Sequence, residues 1–200
     1  MTDLLRVFLP IYLLLFFFAV FLLRTIIVWK KTGINAYVLL NQTGAYGIIG
    51  FYFKILPFFS ISAVVIFSFF PEHYALLGPI SWLENQLLIF LGLILMAASL
   101  LWIWVAQTQM GNSWRIGIDE ESKTELVTQG VFSLSRNPIF LGMKLNSLGF
   151  FLVIPNAITL VVLLLGFALI DVQVALEEEY LGKVHGDKYK VYFNNVRRWL

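Results

Sequence analysis

Four long apolar runs constrain this chain more than any other feature of its sequence. They extend over 7–29, 48–70, 87–105 and 157–175. A helix needs about 20 mostly apolar residues to cross the hydrocarbon core of a bilayer, and each run supplies them. The runs therefore predict an integral membrane protein whose spanning segments are helices.

A fifth apolar run, 138–154, is weaker because Lys144 and Asn146 interrupt it. Only Pro155-Asn156 separates it from the last run, so we expect the two to form a tight antiparallel hairpin. The sequence thus predicts an all-α integral membrane fold with about five transmembrane helices. Three spans fall in residues 1–106, and a loop, the hairpin and a C-terminal amphipathic helix fall in residues 107–200.

The composition excludes several classes of protein. Of the 200 residues, 60% are hydrophobic and 13% are charged, whereas soluble domains have roughly 45–50% and about 25%. A soluble enzyme and a disordered chain are both excluded. There is no cysteine, so disulfides, thiolate metal sites and cysteine nucleophiles are excluded as well. The net charge of +2 gives no reason to expect nucleic acid as a partner.

Basic residues are distributed asymmetrically along the chain. The loop 71–84 contains acidic residues but no lysine or arginine, whereas the segments 107–137 and 183–198 are rich in both. The positive-inside rule then predicts, with five spans, an outside N-terminus and a cytoplasmic C-terminus. Arg6 is the basic residue that this orientation misplaces.

Charged side chains also lie at or inside the apolar runs. Arg136 precedes a proline that suits the first turn of a helix, and it can bind either a ligand or a lipid phosphate. Glu177-Glu178-Glu179 oppose the negative end of their helix dipole. Unless they are simply solvated, they need a cationic partner, which Arg136, Lys144 or a cationic ligand could supply.

Lys144 and Asp171 lie about two helical turns inside their runs. A charge at the centre of a span costs about 2.5–3.5 kcal/mol. We therefore expect both to face the bundle interior and to pair with each other or with a ligand. The two histidines, His73 and His185, fall on opposite sides of the membrane, so no metal site is expected.

A set of short motifs runs in order through residues 107–200. They are Glu125-Leu126-Val127-Thr128-x-Gly130, Phe132, Arg136-Asn137-Pro138-x-Phe140-x-Gly142, Glu177-Glu178, His185-Gly186-x-x-Tyr189-x-x-Tyr192 and Val196-x-Arg198-Trp199. This order and spacing resembles the isoprenylcysteine carboxyl methyltransferase family, with its bacterial and archaeal members and the related phospholipid methyltransferases. No motif of this kind occurs in the first spans.

The resemblance implies a membrane enzyme that transfers methyl groups from S-adenosyl-L-methionine to a lipophilic acceptor, a carboxylate or an amine, taken from the bilayer. It implies a cytoplasmic cofactor pocket formed by the 107–137 loop and the C-terminal helix, in a prokaryotic inner or plasma membrane. The implied cofactor-binding residues are Gly117, Thr124, Glu125, Leu126, Val127, Phe132, Asn137, Pro138, Ile139, Phe140 and Glu177. The expected catalytic residues are Arg136 and Glu178, and the expected substrate-binding residues are Gln173, Lys144 and Asp171.

The chain departs from the family pattern at four positions. Asn137 replaces a common histidine, and Phe132 and Phe140 replace common tyrosines. Gln173 stands where members that methylate prenylated cysteine have an arginine. Because glutamine cannot neutralise a carboxylate, a prenylcysteine acceptor is disfavoured.

Two other functions remain open on the sequence alone. An NADPH-dependent membrane reductase of sterol-like or enone lipids has a similar arginine–histidine–proline helix start. Its cofactor phosphate would favour a basic loop, whereas the loop here contains four acidic residues, Asp119, Glu120, Glu121 and Glu125. A non-enzymatic lipid-binding membrane protein is the second alternative, and it would give Arg136 and the glutamate run no role.

Overall fold

A computed structural model describes residues 2–33, 44–115 and 125–200 of the chain, and these ranges are helical with short connections. The β-type pairing within these ranges is one isolated bridge between Pro79 and Asn156. The helices are α1 (Thr2–Thr32, with a π-helical turn at Phe18–Leu23), α2 (Gly44–Phe69), α3 (Gln86–Met110), α4 (Pro138–Val153), α5 (Ala157–His185) and α6 (Asp187–Asn195). The all-α expectation is confirmed.

Four of these helices are long and apolar enough to cross a membrane. They cover Thr2–Thr32, Gly47–Phe69, Gln86–Ser113 and Ala157–His185. The fifth apolar run forms α4, which has 16 residues and is therefore about 24 Å long. This is shorter than the hydrocarbon core of about 30 Å. The expected five spans are thus four long helices and one shorter apolar helix, because α4 begins only at Pro138 and ends at the turn before Asn156.

Helices α3 and α4 form the closest pair in the bundle because glycines line their contact. A Cβ atom built on Gly92 would lie 2.7 Å from the carbonyl oxygen of Gly149, and the reverse distance is also 2.7 Å. Further along, a Cβ on Gly142 would overlap with Ile103 Cγ1. Small residues allow helix backbones in a membrane to approach this closely.

The helical hairpin expected from the sequence is present and consists of α4 and α5. Asn156 caps α5 by accepting a hydrogen bond from the Thr159 backbone N–H at 3.0 Å, and the Thr159 hydroxyl accepts one from the Asn156 N–H at 3.1 Å. The Ile80 N–H donates to the Pro155 carbonyl at 2.9 Å. This bond places the hairpin turn at the same end of the bundle as the 71–85 connection.

The N-terminus of α4 is recessed from the opposite end of the bundle. Trp102 Nε1 donates to the Pro138 carbonyl at 2.8 Å, and Trp102 lies eight residues before Met110, the last residue of α3. At 1.5 Å per residue, Pro138 is about 12 Å inside the end of α3. The residues around Arg136 therefore lie within the bundle end rather than above it.

Helix α1 is joined to α3 by polar contacts near this same end. Gln107, which is buried, donates to the Val20 carbonyl at 2.7 Å. Val20 lies in the π-helical turn, where carbonyls are displaced from the regular helical pattern. Arg24 Nη2 donates to the Gly111 carbonyl at 2.6 Å. These bonds fix α1 against the helix that leads into the candidate site.

Candidate functional site

A buried carboxylate, Glu178 on α5, lies at the centre of the candidate site. Its side chain is 6% exposed. Oε1 accepts hydrogen bonds from Arg136 Nε at 3.1 Å and Asn137 Nδ2 at 3.0 Å. Oε2 accepts from Arg198 Nε at 3.1 Å and Nη2 at 2.5 Å. The Glu178 carboxylate thus attaches two segments to α5, the residues before α4 and the C-terminal segment.

Arg136 makes further contacts with the last turn of α6 and with the residue that follows it. Its Nη1 donates to the Phe193 carbonyl at 3.0 Å and also to the Val196 carbonyl. Its guanidinium carbon lies 4.0 Å from the centroid of the Phe193 ring, within the range of a cation–π contact. With an 8% exposed side chain, Arg136 is enclosed by protein groups.

The C-terminal segment 196–200 lies against the backbone before α4. The Arg136 N–H donates to the Arg197 carbonyl at 2.9 Å, and the Ser135 hydroxyl donates to the Arg198 carbonyl at 3.0 Å. The bonds to Glu178 raise the pKa of Arg198 above its ordinary value. The segment therefore covers the Arg136 region and is held there by both backbone and ionic contacts.

Glu177, the neighbour of Glu178, lies in a different environment. It accepts a hydrogen bond from Gln173 Nε2 at 2.9 Å, and no ion pair to it is found within the described ranges. Gln173 is 3% exposed, and its Oε1 has no hydrogen-bond partner among the described residues. The Glu177 carboxylate therefore has a neutral donor but no cationic partner among the described residues, and the Gln173 amide oxygen beside it has no donor there.

Lys144 and Asp171 form the ion pair expected from the sequence. Lys144 Nζ lies 2.5 Å from Asp171 Oδ1, with side chains that are 12% and 50% exposed. Lys144 faces the interior as expected, but Asp171 is half-exposed on the side of α5. Nζ also lies 4.2 Å from the Trp199 ring centroid and 5.1 Å from that of Phe167. The C-terminal segment thus reaches the ion pair as well as Glu178.

An open cleft of about 400 Å³ lies beside the start of the Gly130–Ser133 turn. It is lined by Gln109 and by residues 126–130. The turn is fixed because the Val131 N–H donates to Gln109 Oε1 at 2.8 Å and the Tyr192 hydroxyl donates to the Phe132 carbonyl at 2.6 Å. Since Arg136 lies three residues after the end of the turn, the cleft and the Glu178 cluster are at the same end of the bundle.

The other expected cofactor residues have varied positions. Leu126 and Val127 line the cleft, Phe132 is buried, and Glu125 is exposed. Pro138 is buried at the first position of α4, Ile139 packs against the hydrophobic core, and Phe140 is partly buried. Gly117 and Thr124 lie outside the described residues.

Several residues of the site were not identified from the sequence as functional. Arg198 and Tyr192 occur within the motifs, but their spacing does not say that one binds Glu178 and the other binds the Phe132 carbonyl. Thr128 also lies within a motif but was not expected to bind the cofactor, and Gln109 lines the cleft with it without any signal in the sequence. Within the described ranges, no group of three His, Cys, Asp or Glu side chains could hold a metal ion.

Fold and site together define a class: a multi-helix membrane protein with a recessed arginine–glutamate cluster at one end of the bundle. Residues 86–188 match the profile of the phospholipid methyltransferase family. The match covers just over half of the chain and includes α3, α4, α5, Arg136 and Glu178. The chain belongs to this family of membrane methyltransferases, and the resemblance found in the sequence is confirmed. Neither curated proteins nor solved structures give a match.

Proposed function

We propose that this protein transfers a methyl group from S-adenosyl-L-methionine to a lipophilic acceptor that enters from the bilayer. The family is a methyltransferase family, and the chain has four helices able to cross a membrane. The observation that carries the proposal is the hydrogen bond from Gln173 Nε2 to Glu177 Oε1, which brings the Glu177 carboxylate close to the Gln173 amide oxygen, an acceptor without a partner among the described residues. Two acceptors in one recessed place favour a cationic ligand.

The residues at this end of the bundle fit such a cofactor. Glu177 and Gln173 would lie at its positive charge, and the cleft lined by Leu126, Val127 and Gly130 has a volume within the range of small-molecule sites. We retain the other expected cofactor residues as predictions. When bound, S-adenosyl-L-methionine would supply an electrophilic methyl group on a sulfonium.

Glu178 and Arg136 act in this proposal as positioning residues. Their charges are already satisfied within the protein, because two guanidinium groups bind the Glu178 carboxylate. What they provide is a fixed geometry between α4, α5 and the C-terminal segment. Methyl transfer depends on a collinear arrangement of donor and acceptor, and positioning of this kind can supply much of the rate enhancement.

Gln173 and Glu177 limit the chemistry of the methyl acceptor. Gln173 can accept or donate a hydrogen bond but cannot neutralise a carboxylate, so a prenylcysteine carboxylate is disfavoured. An amine must lose a proton before it attacks, and Glu177 is the nearby group able to accept one. The Lys144–Asp171 pair, with its half-exposed carboxylate, is proposed as a contact for the polar part of the entering lipid.

The orientation is part of the proposal. The recessed site lies at the end of the bundle that contains Arg115, Arg136 and Lys183, and the positive-inside rule assigns this end to the cytoplasm. The opposite end contains Glu72 and Glu84. We therefore propose a cytoplasmic site in a prokaryotic inner or plasma membrane.

A ligand titration distinguishes this function from the reductase alternative. The purified protein in detergent is heated in the presence of S-adenosylhomocysteine or NADPH. A ligand that binds only the native state at 100 times its Kd adds about 2.7 kcal/mol of stability. We expect S-adenosylhomocysteine to raise the midpoint of unfolding and NADPH to leave it unchanged. Stabilisation by NADPH alone would establish the reductase instead.

A further inference from the structure

A second cleft lies at the end of the bundle opposite to Arg136, and the proposed methyl transfer does not use it. Its volume is about 510 Å³, within the range of small-molecule sites. Leu5, Phe67, Ile89 and Val153 form an apolar wall contributed by four different helices. Polar side chains lie at the same cleft, so it combines features that suit an amphiphile.

Arg6 is the first of these polar groups and the basic residue that the positive-inside rule misplaces. Its Nη1 lies 3.2 Å from Asp3 Oδ1, but the Asp3 side chain is 95% exposed, and ion pairs of this kind contribute little. The Nε atom of Arg6 is buried and has no hydrogen-bond partner within the described ranges. A buried N–H without a partner is destabilising, so Arg6 favours an anionic oxygen from a ligand.

Glu84 and Tyr74 also line this cleft. In contrast to Arg6, Glu84 favours a cationic group of the ligand. The Tyr74 hydroxyl donates to Glu84 Oε1 at 3.4 Å. Burial raises the pKa of Tyr74 to about 12, so Tyr74 remains a neutral hydroxyl at physiological pH. Glu84 is exposed at the cleft, so its carboxylate is available to bind a cation.

We propose that this cleft binds a zwitterionic phospholipid, with the phosphate at Arg6, the ammonium group at Glu84 and the upper acyl segments against the apolar wall. The occupant is a lipid because the cleft lies at the end of helices long enough to span a membrane, and its wall is apolar. The site is separate from the methyl-transfer site, so the two proposals can fail independently.

The test uses dihexanoyl phosphatidylcholine, whose quaternary ammonium group cannot accept a methyl group. The lipid should raise the unfolding temperature of the detergent-purified protein in a saturable way. Arg6→Gln and Glu84→Gln should each weaken its apparent affinity at least tenfold. The matched control is Glu72→Gln, because Glu72 lies at the same end, pairs with His73 and does not line the cleft. The affinity of the Glu72→Gln variant for the lipid should equal that of the wild type.

Three results of this titration would overturn the proposal. The first is unchanged affinity in Arg6→Gln or Glu84→Gln. The second is equally tight binding of dihexanoyl phosphatidylglycerol, which lacks the ammonium group. The third is equally tight binding of free glycerophosphocholine, which lacks acyl chains and would make the site a small-molecule site.

Photo-crosslinking of the wild-type protein tests the site without relying on the folding of variants. A phosphatidylcholine with a diazirine near its glycerol should label peptides from residues 2–9 and 67–89. Labelling confined to residues 125–140 or 171–200 would place the lipid at the other end of the bundle, and the proposal would be wrong.

Discussion

Arg198 binds one oxygen of Glu178 with two nitrogen atoms, at 3.1 and 2.5 Å. This relationship joins the third-last residue of the sequence to a carboxylate recessed in α5. Arg136 binds the other oxygen, so the carboxylate is shared between two guanidinium groups. The C-terminal segment is therefore part of the site.

Substitution of Glu178 should destabilise the protein strongly. Glu178→Gln leaves Arg136, with its 8% exposed side chain, without a countercharge, and removing one partner of a buried ion pair costs about 3–5 kcal/mol. Thermal or SDS-induced unfolding in detergent measures the loss. The control is Glu179→Gln, because Glu179 forms an exposed pair with Lys183, and exposed pairs contribute little to stability. Equal losses in the two variants would contradict the structural role of Glu178.

The contact between α3 and α4 gives a second prediction about stability. Gly149→Ala would place a methyl group 2.7 Å from the Gly92 carbonyl oxygen, and overpacking of this kind costs about 1–3 kcal/mol. At Gly166 the nearest atom to a new methyl group, Leu56 Cδ1, is 3.8 Å away. Gly166→Ala should therefore keep the wild-type stability or gain up to about 1 kcal/mol in helix propensity. Unfolding midpoints in one detergent compare the variants, and a fully stable Gly149→Ala variant would contradict this packing.

The sequence predicts the helices and one ion pair because each depends on a local signal. Apolar runs of spanning length become helices, and charges inside such runs have few possible partners. Lys144 and Asp171 therefore form an ion pair, as expected. The glutamate run needs a cation, and Arg136, one of the expected partners, binds Glu178.

The division of roles within Glu177-Glu178-Glu179 could not be predicted from the sequence. Successive residues on a helix point about 100° apart, so the rotation of α5 decides which glutamate faces which neighbour. In the structure, Glu178 faces the two arginines, Glu177 contacts Gln173, and Glu179 contacts Lys183. The recessed start of α4 depends similarly on tertiary packing, because the bond from Trp102 to the Pro138 carbonyl joins distant parts of the chain.

Alkaline pH should weaken the attachment of α6 to the Gly130–Ser133 turn. Burial raises the pKa of Tyr192 to about 12, whereas an unfolded tyrosine titrates at about 10. The folded state thus keeps a proton that the unfolded chain releases. The stabilisation is complete below about pH 10 and is lost as the pH rises through about 12. Tyr192→Phe should make this decline shallower, and unfolding midpoints between pH 9 and 12 provide the measurement. If the unfolding midpoint of Tyr192→Phe falls as steeply with pH as that of the wild type, the role of Tyr192 in this decline is contradicted.

Substitution of Glu177 should weaken the binding of cationic cofactor analogues more than the binding of neutral ones. Sinefungin has an ammonium group where S-adenosylhomocysteine has a neutral sulfur, so only sinefungin depends on a countercharge. Glu177→Gln should weaken sinefungin binding about tenfold, corresponding to about 1.4 kcal/mol, with little effect on S-adenosylhomocysteine. Calorimetry on both ligands gives the ratio, and Glu179→Gln should leave it at the wild-type value. If Glu177→Gln weakens both ligands equally, the residue shapes the pocket without supplying charge.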